Sequence, residues 1–219
     1  MNLLAKFTLT GTLLLAAGSL MAAPLAEGNA SAGKTKAAVC AACHGANGIS
    51  PTGMYPNLAG QGAPYMEKQL HDFKSGARVD AVMAGMSAGL SDADIADIST
   101  FYAGLQPTVY EADPELVKQG EAIFRGGIPS KGVAACAACH APDGHGIISA
   151  KYPLLAGQHP EYIELQLKAF RAVGRGDLNG PHRNNDKTSD APGPMESVAG
   201  PLSDMEIKQV ASFISGLSK

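Results

Sequence analysis

The pentapeptide Cys-Ala-Ala-Cys-His occurs twice in the chain, at residues 40–44 and again at residues 136–140. Two thiols three positions apart, followed directly by a histidine, are the signature of covalent c-type haem attachment. Each thiol can form a thioether with one vinyl group of the haem, and the histidine can then bind the iron. The two copies contain all the cysteines of the sequence. They predict two covalently bound c-type haems, attached through Cys40, Cys43, Cys136 and Cys139.

Three other roles of paired cysteines fit this pattern less well. A structural zinc site usually needs four ligands, so the four thiols would form one only if the two halves met, and both histidines would be unused. A thioredoxin-like redox pair is expected on a βαβ pattern, which the sequence does not show. Structural disulfides occur in exported proteins, but they also leave the histidines unexplained.

A haem iron bound by one histidine has a sixth position that is either filled by a second side chain or open, and this separates an electron carrier from a catalyst. Comparison of the two halves indicates the second ligand. The residue 112 positions after Met83 is again methionine, whereas the same step from Met86 reaches Val198. Met86 is therefore predicted to fill space in the core. The predicted axial pairs are His44 with Met83 and His140 with Met195.

Histidine with methionine is the ligand pair of electron-transfer cytochromes. The thioether sulfur is a soft, neutral ligand that stabilises reduced iron relative to a second imidazole and raises the potential. The other histidines have no counterpart in the opposite half and are not predicted as ligands; they are His71, His145, His159 and His182.

Further groups are expected around the irons. A metal-bound histidine normally donates its second ring N–H to an oxygen acceptor. Pro56 and Pro153 stand at matching places after the two motifs, and the fixed φ of proline holds its carbonyl still. We predict that these carbonyls orient the two histidines. Arg78 and Arg175 also match in sequence, and they are expected either to face haem propionates or to be solvated.

The elements that carry these residues come from an internal duplication. A run of the form Tyr-Pro-x-Leu-Ala-Gly-Gln occupies residues 55–61 and 152–158, and a Leu-Ser-Asp step occupies residues 90–92 and 202–204. The separation of matching residues is 97 in the first pair and 112 in the second, so the second half has 15 extra residues. They fall within residues 174–194, whose Gly, Pro, Asn and Asp content predicts a loop.

The periodicity predicts an all-α fold of two tandem domains. Helices are expected over residues 30–43 and 114–125, with Pro64 and Pro160 in the first turns of the middle helices. Ser91 and Ser203 resemble N-caps of the final helices, the second within a capping box. The predicted organisation is a signal peptide (1–23), domain 1 (24–106), a linker (107–113) and domain 2 (114–219).

The N-terminus predicts export. Lys6 precedes a short apolar stretch at residues 9–20 and then small residues, as in a secretory signal peptide with an uncertain cleavage site; an uncleaved anchor is the alternative. Export to the bacterial periplasm agrees with the haem interpretation. The formal net charge of −3 argues against nucleic-acid binding, which requires a basic face.

Together these residues resemble the di-haem cytochrome c4 family. The resemblance rests on the two Cys-x-x-Cys-His sites, the two Tyr-Pro-x-Leu-Ala-Gly-Gln runs, residues 118–121 and 124–127, and the two Leu-Ser-Asp steps. It implies two class I cytochrome c domains that face each other, with haem propionates near their interface. It places the family's methionine ligands at Met83 and Met195.

The resemblance implies a non-enzymatic periplasmic electron carrier of the respiratory chain. Its expected partners are a membrane-bound terminal oxidase and an upstream quinol-oxidising complex or small cytochrome, with loose peripheral association with the membrane. The alternatives are a di-haem peroxidase, which would need a displaceable sixth ligand, and a haem-containing sulfur-compound dehydrogenase or the haem subunit of a periplasmic dehydrogenase.

Overall fold

The protein is built from helices joined by loops. A computed structural model describes residues 28–186 and 191–218, so the predicted signal peptide lies outside the described residues. The described residues form ten α-helices: α1 (Ala30–Lys36), α2 (Ala41–His44), α3 (Ala63–Ser75), α4 (Ala81–Ser87), α5 (Asp92–Ala103), α6 (Val117–Gly126), α7 (Ala137–His140), α8 (Pro160–Gly174), α9 (Pro194–Ala199) and α10 (Asp204–Ser215). None of these helices is long and apolar enough to cross a membrane.

Other regular structure is limited to short pieces. In the described ranges, three 3-10 turns occur at Ala37–Val39, Pro129–Lys131 and Ile148–Ala150. The β pairings in these ranges are two isolated bridges, Ile128 with Val133 and Ile147 with Tyr152. The predicted all-α fold is therefore confirmed.

In each half the first helix packs against the last one, α1 on α5 and α6 on α10. Both crossings use glycine. A Cβ atom on Gly33 would lie 2.0 Å from the backbone oxygen of Asp97, and one on Gly120 would lie 2.1 Å from that of Gln209. Only a residue without a side chain permits such a close backbone approach. The cysteine segments follow α1 and α6 in the chain. These crossings therefore also help to position those segments.

Two predicted helix starts are confirmed and two helix bounds are wrong. Pro64 lies in the first turn of α3, and Pro160 opens α8. The first helix was expected to run unbroken over residues 30–43, but α1 ends at Lys36 and a 3-10 turn follows. The helix expected from residue 114 begins at Val117, after a turn. Helix ends of this kind depend on local hydrogen bonds that periodicity does not report.

The final helices begin with capping boxes in both halves. Ser91 accepts a hydrogen bond from the Asp94 N–H, and the Asp94 carboxylate accepts one from the Ser91 N–H. Ser203 and Glu206 do the same at the start of α10. The sequence predicted a full box only for the second. Aspartate is short, but it closes the box in the first half as well, and both caps help to place the segments that follow the two methionines.

Each half has an apolar core that reaches the first cysteine of its motif. In the first half Met66, Ile98 and Tyr102 are buried together, and Cys40 packs against them. The second half has a larger core, and Cys136 packs against it. This core contains Ile123, Phe124, Leu154, Ala156, Ile163, Val210, Ala211, Phe213, Ile214 and Leu217. The first attachment residue of each motif therefore packs against the apolar core of its half.

Replacing Gly120 with alanine should destabilise the second half. The new Cβ would force α6 away from α10, at a cost of about 1–3 kcal/mol for an overpacked contact. Thermal unfolding of the haem-loaded protein, followed by circular dichroism, should show a lower Tm. The matched control is Gly126→Ala near the end of α6, where a Cβ would have no neighbour within 4 Å. An equal loss of stability in both variants would contradict the crossing argument.

Candidate haem centres

Each cysteine motif forms a single helical turn. The N–H groups of Cys43 and His44 both donate to the carbonyl of Cys40, at 3.2 and 3.0 Å. In the second half, Cys139 and His140 donate to Cys136 in the same way, at 3.2 and 2.9 Å. All four thiols are free of disulfides. One turn therefore presents two thiols and an imidazole together, as attachment of one planar group requires.

The two histidines have the orientation that the sequence predicted. His44 Nδ1 lies 2.9 Å from the carbonyl oxygen of Pro56, and His140 Nδ1 lies 3.1 Å from that of Pro153. A carbonyl only accepts hydrogen bonds, so Nδ1 carries the proton in both rings. The lone pair is then on Nε2, which is the nitrogen available to a metal.

Burial favours the neutral form of both imidazoles. It lowers the pKa of His44 and of His140 below the ordinary value, and the hydrogen bond to the proline carbonyl only partly opposes this effect. Burial also raises the pKa of the Cys136 thiol to about 11 and raises that of Cys40. A neutral imidazole with a fixed tautomer is the form that binds iron.

The two candidate methionines occupy corresponding places. Met83 is in the first turn of α4, and its N–H donates to Asp80 Oδ1 at 2.9 Å. Met195 is in the first turn of α9, and its N–H donates to Asp186 Oδ2 at 2.7 Å. Met86 is 42% exposed, so the prediction that it fills space in the core is wrong. An aspartate side chain therefore accepts a hydrogen bond from the backbone of each candidate ligand. Asp80 precedes Met83 by three residues, and Asp186 precedes Met195 by nine.

These residues fit a covalently attached haem. Each half offers two thiols one turn apart and an imidazole whose Nε2 makes no hydrogen bond within the described part of the chain. The zinc alternative would need several ligands to converge. Across residues 28–186 and 191–218, no three His, Cys, Asp or Glu side chains are close enough to share a metal ion.

The two halves face each other across an interface that Arg78 crosses. Its guanidinium donates to Gln69 in its own half at 2.7 Å. It also donates to Tyr162 and Gln166 in the opposite half, at 3.0 and 2.9 Å. The same group lies 4.6 Å from the centre of the Phe73 ring. One side chain thus combines three hydrogen bonds with a cation–π contact.

Arg183 repeats this arrangement with the halves exchanged. It donates to Gln166 in its own half at 2.8 Å, and to Gln69 and Tyr65 in the opposite half at 2.9 and 3.1 Å. Its guanidinium lies 4.6 Å from the centre of the Phe170 ring. The interface therefore has approximate two-fold symmetry.

Arg78 and Arg175 match in sequence, but they do not occupy equivalent places in the structure. Arg175 does not reach the opposite half; it donates to the carbonyls of Gly200 and Leu202. Arg183 takes the equivalent place because the extra residues of the second half loop out and return to the interface. Matching residues of the two halves at a constant separation of 97 pairs Arg78 with Arg175. It could not show that the inserted residues place Arg183 in the equivalent position.

Within the 174–194 segment, the described residues 175–186 and 191–193 form no helix, as the predicted loop requires, and residues 183–185 also bind the first half. Asn185 Nδ2 donates to Gln69 Oε1 at 3.0 Å and to Asp72 Oδ2 at 2.6 Å. The carbonyl of Asn185 accepts from Lys68. The segment that leads to Met195 is therefore anchored on α3 at several points.

Sequence analysis missed two interface glutamines. Gln61 binds both the N–H and the carbonyl of Leu154, each at 2.9 Å. Gln158 binds both groups of Asn57, at 2.8 and 3.0 Å. Both were visible as the last residue of the repeated Tyr-Pro-x-Leu-Ala-Gly-Gln run. A polar residue repeated in both halves beside buried positions was the available signal.

His159 enters α8 as predicted, but it too lies in the interface. Its Nε2 is 3.1 Å from the Tyr110 hydroxyl and 3.0 Å from the carbonyl oxygen of Ser50. Tyr110 belongs to the predicted linker, and its hydroxyl accepts from Asn57 Nδ2 at 3.0 Å. The linker thus contributes directly to the contact between the halves. The other unassigned histidines lie on helix surface or loop: His71, His145 and His182.

Comparison with known proteins agrees with this geometry. A cytochrome c family model matches residues 30–106 and 117–218. Cytochrome c4 of Pseudomonas aeruginosa is 46% identical over 192 residues, which cover 88% of this chain and 90% of that protein. The chain belongs to the di-haem cytochrome c4 family. Reduced recombinant cytochrome c4 from Pseudomonas stutzeri superposes with a TM-score of 0.79 at 42% identity, covering 87% of this chain and all of that one.

A further relative is the thiosulfate dehydrogenase electron acceptor of Thiomonas intermedia. It is 35% identical over 184 residues, which cover 82% of this chain and 79% of that protein. Membership of the cytochrome c4 family confirms the expected cofactors, two covalently bound c-type haems, and the expected pair of cytochrome c domains. This chain is a di-haem electron carrier.

Replacing Cys40 and Cys43 together with serine should leave only one covalently bound haem, because serine cannot form the thioethers. Mass spectrometry of the intact protein and a haemochrome assay should report one haem per chain instead of two. The matched control replaces Cys136 and Cys139 and should retain the other haem. Retention of both haems in either variant would refute the attachment assignment.

Proposed function

We propose that this member of the cytochrome c4 family is a periplasmic carrier that delivers electrons to a membrane-bound terminal oxidase. Its electrons would come from an upstream quinol-oxidising complex or a small cytochrome. The observation that carries the proposal is the repetition of an oriented histidine and an anchored methionine in both halves. Residues 1–23 would direct export, and a peripheral contact with the membrane would bring the carrier to its oxidase.

In this proposal Cys40, Cys43, Cys136 and Cys139 would hold the two haems covalently. His44 with Met83 would bind the first iron, and His140 with Met195 would bind the second. Bound haem supplies a one-electron couple between ferric and ferrous iron. The surrounding side chains set its potential through ligand type, burial and hydrogen bonding.

The anchoring of the methionines supports a carrier over a peroxidase. A peroxidase would need one methionine to leave its iron, and the loop before Met195 is where displacement would be easiest. That loop is held by Arg183 and Asn185 on the first half, and Asp186 binds the Met195 N–H. Such contacts oppose movement of the ligand and keep rearrangement small during electron transfer.

The interface supports transfer between the two halves. Arginine, glutamine and tyrosine side chains from both halves interlock across it, with the linker residue Tyr110 at one side. These contacts hold the halves in a single arrangement. A fixed arrangement keeps the distance between the two centres constant, so electrons can enter at one half and leave from the other.

A second candidate is an electron acceptor for a sulfur-compound dehydrogenase. The observation that favours it is the relative from Thiomonas intermedia, whose name states that role. In that case the chain would still carry electrons, but its donor would be a catalytic subunit. Affinity purification from cells grown on thiosulfate distinguishes the two, because a bound dehydrogenase subunit would support the second candidate.

A spectroscopic redox titration tests the ligand assignment. Met83→Ala and Met195→Ala should each abolish one methionine–iron absorption feature and lower one of the two potentials, because the thioether favours reduced iron. Met86→Ala is the matched control and should change neither. If Met86→Ala removes the feature while Met83→Ala does not, the assignment in the first half is wrong.

Ligand access tests the distinction between carrier and enzyme. With both sixth positions filled, the reduced protein should not bind carbon monoxide rapidly at either haem. Stopped-flow absorbance measures this directly, and Met195→Ala provides a positive control with an open position. Rapid binding to the unmodified protein would favour the peroxidase alternative.

A further inference from the structure

One peptide group in each half makes a hydrogen bond through its carbonyl oxygen and another through its N–H, and so connects a histidine to a glutamine. In the first half it joins Pro56 to Asn57. Its carbonyl oxygen accepts from His44 Nδ1 at 2.9 Å, and its N–H donates to Gln158 Oε1 at 2.8 Å. Gln158 belongs to the opposite half. The imidazole of the first half is therefore connected to the second half through a single amide.

The second half has the same connection. The peptide between Pro153 and Leu154 accepts from His140 Nδ1 at 3.1 Å and donates to Gln61 Oε1 at 2.9 Å. Each half thus supplies the glutamine that completes the other half's connection.

The glutamines are held so that the oxygen faces the peptide N–H. The Nε2 of Gln61 donates to the Leu154 carbonyl, and the Nε2 of Gln158 donates to the Asn57 carbonyl. A rotated carboxamide would place like groups against each other, which fixes the orientation. Each Oε1 also accepts the N–H of the next residue in its own chain segment. Only 6% of Gln61 and 9% of Gln158 is exposed.

Hydrogen bonds in such a chain polarise one another. An acceptor on the amide N–H moves negative charge toward the carbonyl oxygen, which then accepts more strongly from the imidazole N–H. A stronger acceptor on Nδ1 raises the basicity of a metal-bound histidine. A more basic imidazole favours ferric over ferrous iron and lowers the reduction potential.

We propose that Gln61 and Gln158 are positioning residues that each lower the reduction potential of the haem in the opposite half. Gln61 acts on the haem bound by His140, and Gln158 acts on the haem bound by His44. The proposal rests on these histidines being the iron ligands, as assigned above. Contact between the halves then sets both potentials, in addition to holding the domains together.

The test uses Gln61→Leu and Gln158→Leu in the full-length, haem-loaded protein. A redox titration followed by NMR resolves the two haems through their separate resonances. Gln61→Leu should raise the potential of the second haem more than that of the first, and Gln158→Leu should do the reverse. Shifts that are larger in the substituted half, or equal at both haems, would overturn the proposal.

The direction in which the reduction potential changes distinguishes the proposed role of the glutamines from a purely structural one. A loosened interface would admit water, which stabilises the more highly charged oxidised state and lowers a potential. Loss of the glutamine oxygen should instead raise it. Tyr110→Phe is the matched control, because it removes a neutral interface hydroxyl and leaves both peptide connections intact. It should raise the potential of neither haem; a rise as large as that in the glutamine variants would also overturn the proposal.

A second measurement does not depend on potentials. In the reduced, diamagnetic protein, the Nδ1–H resonance of His140 should move upfield in Gln61→Leu, while that of His44 does not move.

Where a leucine variant does not fold, Gln61→Asn and Gln158→Asn shorten the side chain. Each should produce the same pattern, with the larger change in the half opposite the substitution. Unmoved Nδ1–H resonances in all variants would refute the connection. If the unsubstituted protein lacks histidine-bound iron, the ligand assignment itself fails.

Discussion

The hydrogen bond from a histidine Nδ1 to a proline carbonyl is the interaction on which both centres depend. It determines which ring nitrogen carries the proton, and so which one can meet a metal. The bond requires the segment that follows each motif to return to the histidine, and proline stiffens that segment at the point of contact. The glycine crossings, the caps and the apolar cores all support this contact, because together they hold the cysteine turn and the proline segment at hydrogen-bonding distance.

Much of each centre follows from sequence because its residues are close together or repeated. The cysteine motifs are local, and their spacing alone indicates the chemistry. The proline contacts were also predictable, since the two prolines stand at matching distances after the motifs. The duplication supplied a second, independent test for each candidate residue, and it selected one methionine per half. Helix starts were well marked where proline or a capping serine stood at the first turn.

The interface could not be read from the sequence in the same way. Its contacts join residues about 100 positions apart, and no local pattern specifies which surfaces meet. Arg183 shows the difficulty clearly. It is equivalent to Arg78 in space, but the inserted residues displace it from the matching sequence position, and Arg175 occupies that position instead. Gln61 and Gln158 were visible as a repeat, yet only the structure shows that their partners are backbone groups of the opposite half.

The approximate two-fold symmetry of the interface has a consequence for how the chain is assembled. Each half offers a glutamine that binds a backbone N–H and carbonyl, and each also offers the backbone groups that such a glutamine needs. A surface of this kind is self-complementary, like the interface of a symmetric homodimer. The tandem chain therefore has the geometry of a dimer whose two subunits have been fused. Fusion makes their association independent of protein concentration, and it allows the two copies to diverge while they stay paired.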